Sequence, residues 1–154
     1  METPQIKEQF LMSIHRFGKL HLDCFFSGDL TRGEFFCLAI LRRYQHEHPD
    51  SPGMLVWELA QKAHVRTPAT SRMLGTLEQR GLVQRSICPQ DRRNVSVAVT
   101  AQGEALWHKT ADGLDALTNR VIGRMGPENM AQLTGLLDRL CNIMEEEKEA
   151  FGQC

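Results

Sequence analysis

Residues 59–103 read LAQKAHVRTPATSRMLGTLEQRGLVQRSICPQDRRNVSVAVTAQG, and helical and strand periodicities meet within this one stretch. At its far end Val95, Val97 and Val99 alternate with Ser96, Ala98 and Thr100, the period-two pattern of a half-buried strand. Val83 to Ile87 supplies a second strand, and the turn between them carries Pro89 and, at its tip, the adjacent Arg92 and Arg93. Upstream, Thr67 ahead of Pro68 predicts a helix cap and first turn; TPATSRMLGTLEQR continues that helix, and Gly81 closes it as a natural C′ residue. Met54 to Ala63 reads as the preceding helix, with Leu55, Leu59 and Ala60 as its apolar positions and HVRT as the tight turn between the two. Helix, short turn, capped helix and hairpin form a helix-turn-helix with a two-stranded extension.

Charge is distributed unevenly around this stretch. The net charge of −1 conceals seven basic residues against two acids in 62–93, a local +5. Lys62, Arg66, Arg72, Arg80, Arg85, Arg92 and Arg93 stand there against Glu78 and Asp91. Residues 104–154 hold nine acids against five bases, a local −4. Such placement attracts a polyanion to the middle of the chain and keeps the last third away from it.

A chain of 154 residues is one domain's worth, or one domain with extra oligomerisation helices, and 42% hydrophobic and 24% charged residues are the composition of a folded globular protein and not of a disordered or collagen-like chain. No apolar run approaches the roughly 20 residues that cross a bilayer. METPQIKEQF lacks the basic-then-apolar layout of a signal peptide, so a cytoplasmic protein without a membrane partner is expected. Five scattered cysteines without a CxxC pair point to reduced thiols.

Further out, Thr3 and Pro4 open a first helix with Ile6, Phe10, Ile14 and Phe17 on one face, expected to run to near Gly28. In LTRGEF, Thr31 and Glu34 form a capping box and Leu30 can staple onto Phe35; the second helix must end before Pro49, and HPDSPG is a loop. Beyond the hairpin Thr100 caps a helix striped with Leu106, Leu114, Leu117, Val121 and Met125, which stops at Gly126-Pro127. A last helix carries Met130, Leu133, Leu136, Leu137, Leu140 and Met144 before the acidic run EEEKE.

Thr67, Pro68, Ala69, Thr70 and Arg72 make the N-terminal half of the capped helix small, polar and basic. Small side chains let a backbone approach a major groove, a helix N-terminus favours phosphate, and an arginine reaches guanine O6 and N7. The same residues are also simply a good helix start. Arg85 has two readings, a DNA contact or a strand arginine paired on the surface with Glu78.

The stretch 59–103 resembles the winged helix-turn-helix core of the MarR family of bacterial transcription regulators. Leu59-Ala60, Val65, Ser71-Arg72, Leu77, Gly81-Leu82-Val83, Arg85, Asp91-Arg92-Arg93, Thr100 and Gly103 carry the resemblance, which is specific as an ordered set. It implies a mainly α fold, a winged helix-turn-helix with a two-stranded wing and N- and C-terminal dimerisation helices. Residues 31–103 would form the DNA-binding lobe, and 1–30 with 104–154 the dimerisation helices. It further implies that Arg93 enters a minor groove, where negative potential is concentrated. Asp91 would orient it, and Arg92 would touch phosphate or support the wing.

A homodimer on a pseudo-palindromic operator of double-stranded DNA follows, because one recognition helix reads few base pairs and the terminal apolar stripes need burial. The resemblance also implies release from the operator by a small-molecule effector, often an aromatic anion, in a cleft between dimer helices and DNA-binding lobes. Phe17 and His21, one turn apart on the first helix, are candidates for lining that cleft, although aromatic residues at such spacing are more often core. Cys24 has no nearby cation to lower its pKa, and its place near the end of the first helix does not suit an oxidant sensor. His46 and His48, two residues apart, diverge on a helix; with His21 and Cys24 they make no zinc pattern, and no metal or cofactor is expected. No phosphate loop, nucleophile elbow or metal-spaced carboxylate pair suggests an enzyme. The alternatives are a winged-helix module that binds protein and not DNA, and a redox- or metal-sensing regulator.

Overall fold

The computed structural model describes residues 3–26 and 28–152. The elements in chain order are α1 (Thr3–Gly18), a 3₁₀ turn (Leu22–Phe25), α2 (Arg32–Glu47), β1 (Met54–Leu55), α3 (Val56–Ala63), α4 (Thr67–Gln79), β2 (Val83–Ile87), β3 (Val95–Val99), α5 (Ala101–Met125) and α6 (Pro127–Ala150). They fall into two compact units, residues 1–113 and 114–154.

In the first unit the apolar faces of α2, α3 and α4 close over one side of a three-stranded antiparallel sheet ordered β1-β3-β2. Leu38 and Leu41 from α2, Leu59 from α3, Leu74 and Leu77 from α4, and Met54 and Val97 from the sheet are almost wholly buried. Each stabilises the fold by about 1.5–3 kcal/mol relative to exposure. The hairpin spans the residues its period-two pattern predicts, with Val83 opposite Val99 and Ile87 opposite Val95. β1 is an addition: Met54 and Leu55, expected as the start of a helix, are extended and pair with Val97 and Ser96, so that α3 begins only at Val56. The two-stranded wing is thereby anchored on a third strand.

The helix ends follow local chemistry. At α2 Thr31 Oγ1 accepts the Glu34 N–H at 3.2 Å while the Glu34 carboxylate accepts the Thr31 N–H at 2.9 Å, the expected capping box. At α4 the expected cap is displaced by one residue: Arg66 occupies the cap position without a side-chain bond, and Thr67 and Pro68 are already helical. The end of α4 is a Schellman turn, with Gly81 N–H donating to the Glu78 carbonyl and Leu82 N–H to the Leu77 carbonyl, both at 2.9 Å. Gly81 supplies the required left-handed φ of 72°. Thr100 caps α5 by accepting the Gly103 N–H. A Cβ at Gly103 would run into the Leu82 carbonyl, so this contact admits only glycine.

α1 stops at Gly18, well short of Gly28. Its last turn tightens as the Lys19 N–H is shared between the His15 and Arg16 carbonyls at 3.1 Å each, and glycine lowers the helix propensity there. None of its residues is buried: Ile6, Phe10, Leu11, Met12, Ile14 and Phe17 all lie open. The second unit comprises the end of α5 and α6, separated at Gly126-Pro127 as the sequence predicts. It too leaves Val121, Met125, Leu133, Leu136, Leu137, Ile143 and Met144 exposed.

Candidate nucleic-acid interface

The α3-α4 turn is made by His64, the one described residue other than glycine with positive φ, at 54°. Val65 N–H returns to the Ala60 carbonyl, which turns the chain directly into α4. On the first turns of α4, Thr67, Pro68 and Arg72 are exposed and Ala69 is half-buried. Thr70 differs from the sequence reading. It is 3% exposed, and its hydroxyl donates to the Arg66 carbonyl at 3.1 Å, so it braces the first turn from inside and offers nothing to a groove.

The wing is fixed to α4 by Arg85. Its Nη2 donates to the Ser71 carbonyl at 2.6 Å, and its Nε is buried without a partner. Glu78, expected as the counter-charge of this side chain, instead accepts the backbone N–H of Arg85 at 3.1 Å. Arg85 is therefore a strut between strand and recognition helix. Arg80 is also occupied, donating to Glu34 at 3.4 Å and to the Asp29 carbonyl. Of the seven bases in 62–93 only Arg85 is half-buried, and Lys62, Arg66, Arg72, Arg92 and Arg93 are exposed and lie outside these internal bonds.

At the tip, Asp91 builds the turn. One carboxylate oxygen accepts the Arg93 backbone N–H at 3.0 Å, the other accepts from the Asn94 amide at 3.4 Å, and the Asp91 carbonyl accepts the Asn94 N–H. Aspartate does this because its short side chain reaches the backbone two residues on. The orientation of Arg93 thus comes through its main chain, which leaves the guanidinium at the surface. Arg92 beside it is exposed as well.

Arg93, Arg85, Thr67, Ser71, Val56 and Trp57 surround a hollow of about 250 Å³. It joins the start of the recognition helix to the wing, with two guanidinium groups and a helix N-terminus contributing positive potential. Trp57, 53% exposed, is a residue that sequence reasoning missed. The signal was present, because Trp57 lies outside the Leu55, Leu59, Ala60 register and so had no core position to fill.

This order of elements is matched among known proteins. The MarR family model matches residues 30–95. An HTH-type transcriptional repressor of Mycobacterium bovis is 31% identical over 111 residues, spanning 72% of this chain and 75% of that protein. The chain belongs to the MarR family. The homoprotocatechuate degradative operon repressor of Escherichia coli, 27% identical over 100 residues, covers 65% of this MarR chain and 68% of its own length. The transcriptional repressor CouR, solved on a 23-mer DNA duplex, superposes with a TM-score of 0.71 at 24% identity over 92% of this chain and 98% of its own.

The residues expected to meet an effector are not brought together as predicted. Because this MarR chain leaves the helix at Gly18, Phe17 is the 61% exposed end of α1 and His21 lies beyond the helix, so the two do not share a helical face. A larger hollow, about 730 Å³, opens instead between α2 and the start of α5. In it the Arg42 guanidinium lies 3.8 Å above the Trp107 ring, bonds Glu104 at 2.6 Å and lies 3.1 Å from His108 Nε2; Phe35 stacks on Trp107. Among the described residues no group of three or more His, Cys, Asp or Glu side chains is placed to hold a metal ion. The Cys37 thiol is pushed up to about 12, by burial first and then by the Glu34 charge, which makes it a poor nucleophile.

Proposed function

We propose that this protein is a cytoplasmic, homodimeric repressor that reads a pseudo-palindromic site in double-stranded DNA and leaves it when a small molecule binds. The observation that carries the reading is the hollow on which Arg93 and the start of α4, through Thr67 and Ser71, converge, with Arg72 exposed on the same helix. Thr67, Pro68 and Ala69 would lie along the major groove beside Arg72, Arg93 would enter the minor groove, and Arg92 would meet phosphate. Residues 31–103 would be the DNA-binding lobe. Residues 1–30 and 104–154 would be the dimerisation segments, with the open apolar faces of α1, α5 and α6 buried against a second copy.

Relatives that carry the name of repressor, and one solved on a DNA duplex, support the regulator reading. A related regulator, PcaV of Streptomyces coelicolor, was solved in complex with its natural ligand, which supports control by a small molecule. A protein that acts by occupying DNA needs no catalytic step, and none is assigned to it. The test is selection of bound fragments from genomic DNA, followed by titration of the recovered duplex. A recurring inverted repeat bound by one dimer is expected. Failure to enrich any sequence, with no affinity for duplex at low salt, would favour a protein-binding module.

A further inference from the structure

A separate hollow of about 460 Å³ lies at the root of the wing, within the size range of small-molecule sites. Its origin is legible in the strand register. Leu55, Ser96 and Ser86 stand opposite one another across the three strands and so share the sheet face opposite Met54 and Val97, which enter the core. Two serines in place of larger residues leave that face without side-chain bulk. The Ser96 hydroxyl bonds the Ser86 carbonyl at 3.2 Å, so the floor is polar but already satisfied. Apolar surface around it comes from the Tyr44 ring, Pro52, Leu55, Ile87 and Pro89. Ile87 is 64% exposed and adds apolar surface to the hollow.

Electrostatics narrows the occupant. Glu58 is the single ionised side chain among the described residues lining the hollow, and no Lys, Arg or His joins it. Lys62, one turn further along α3, lines an adjoining hollow and not this one. An anion here would face a carboxylate with no cation to balance it, whereas an apolar cation gains both the carboxylate and the walls. We propose that the wing-root hollow binds a small apolar cation, an aryl- or alkylammonium of roughly 10–15 heavy atoms, with Glu58 as its counter-charge. A ligand there touches α3 through Glu58 and the root of β2 through Ile87. It would tie the wing to the helix-turn-helix, and any effect on DNA affinity must be matched by an equal effect of DNA on ligand affinity.

Binding is measured on the full-length protein without DNA, which keeps the result independent of the operator. The probes are 3-phenylpropyl-trimethylammonium, its uncharged tert-butyl isostere and 4-phenylbutyrate, each followed by calorimetry. Saturable binding of the ammonium is expected, one per chain, with Kd of about 1 mM or tighter. The carboxylate should not bind. Glu58→Gln keeps an oxygen for the start of α3 and should weaken the ammonium about fivefold while leaving the neutral isostere unchanged. Ser86→Phe fills the floor and should abolish binding. Should that variant not fold, the native protein decides through alkylation of Cys88, which lines the same hollow. The ammonium should slow alkylation of Cys88 but not of the exposed Cys24 and Cys141. No saturable binding, equal binding of the carboxylate, or unprotected Cys88 at saturating ammonium would each overturn the proposal.

Discussion

At the scale of single residues, the structure separates side chains that hold the lobe together from those free to meet DNA. Arg93 is free. Arg93→Ala should leave thermal stability within about 0.5 kcal/mol, since an exposed wing-tip side chain buries little, and should weaken operator binding in anisotropy titrations. Unchanged affinity at moderate salt would remove Arg93 from the groove. Arg72→Ala should cost about 1–3 kcal/mol on the preferred sequence and much less on random duplex, because a base-edge contact is lost and not a phosphate contact. Equal losses on both duplexes would make Arg72 a backbone contact. The exposure of Arg72 and Arg93 was readable in the sequence because a basic residue on a helix start or a turn tip has few apolar uses. Thr70 was misread for the opposite reason: threonine fits a groove and a buried first turn equally well, and only packing decides.

At the scale of elements, legibility followed length and period. β2 and β3 were readable to the residue because alternation over five positions leaves one solution, whereas two-residue β1 is too short for any period to appear. The end of α1 was overrun because Gly28 was read as its stop, whereas the helix already ends at Gly18, where glycine lowers helix propensity. The wing's attachment was likewise invisible, since Arg85 reads as a charge and acts as a strut through the Ser71 carbonyl. Arg85→Ala should destabilise the lobe by about 1.5–3 kcal/mol in urea unfolding, the net worth of a hydrogen bond from a charged donor. A wild-type midpoint with weakened DNA binding would instead make Arg85 a DNA contact.

At the scale of the whole molecule, the exposed apolar faces of α1 and α6 require a partner, and truncation tests which. A chain ending at residue 126 should sediment as a monomer and bind a half-site and a full site about equally, because the second lobe is no longer attached. A stable dimer would place the interface elsewhere. Salt dependence reports the charged face. With the internally bonded Arg80 and Arg85 set aside, five exposed bases per lobe give a dimer ten, enough to neutralise roughly 6–10 phosphates, so affinity should fall about 10³–10⁵-fold between 50 and 200 mM salt. A flat response would mean that the basic face does not meet DNA. The charge asymmetry behind this prediction was plain in the sequence, but its sequence value of +5 counts Arg80 and Arg85, which the fold uses internally.

The grip of Asp91 on the wing tip reaches beyond this one protein. The aspartate holds position 93 by its amide N–H, a group that every residue except proline possesses. The turn is therefore indifferent to which side chain it displays. Substitutions at 93 can accumulate without disturbing the hairpin, so a duplicated copy of such a gene can drift toward a new target sequence one residue at a time. Position 91 has no such freedom. An arginine kept at 93 in any descendant is therefore held there by the DNA it meets and not by the fold of the hairpin.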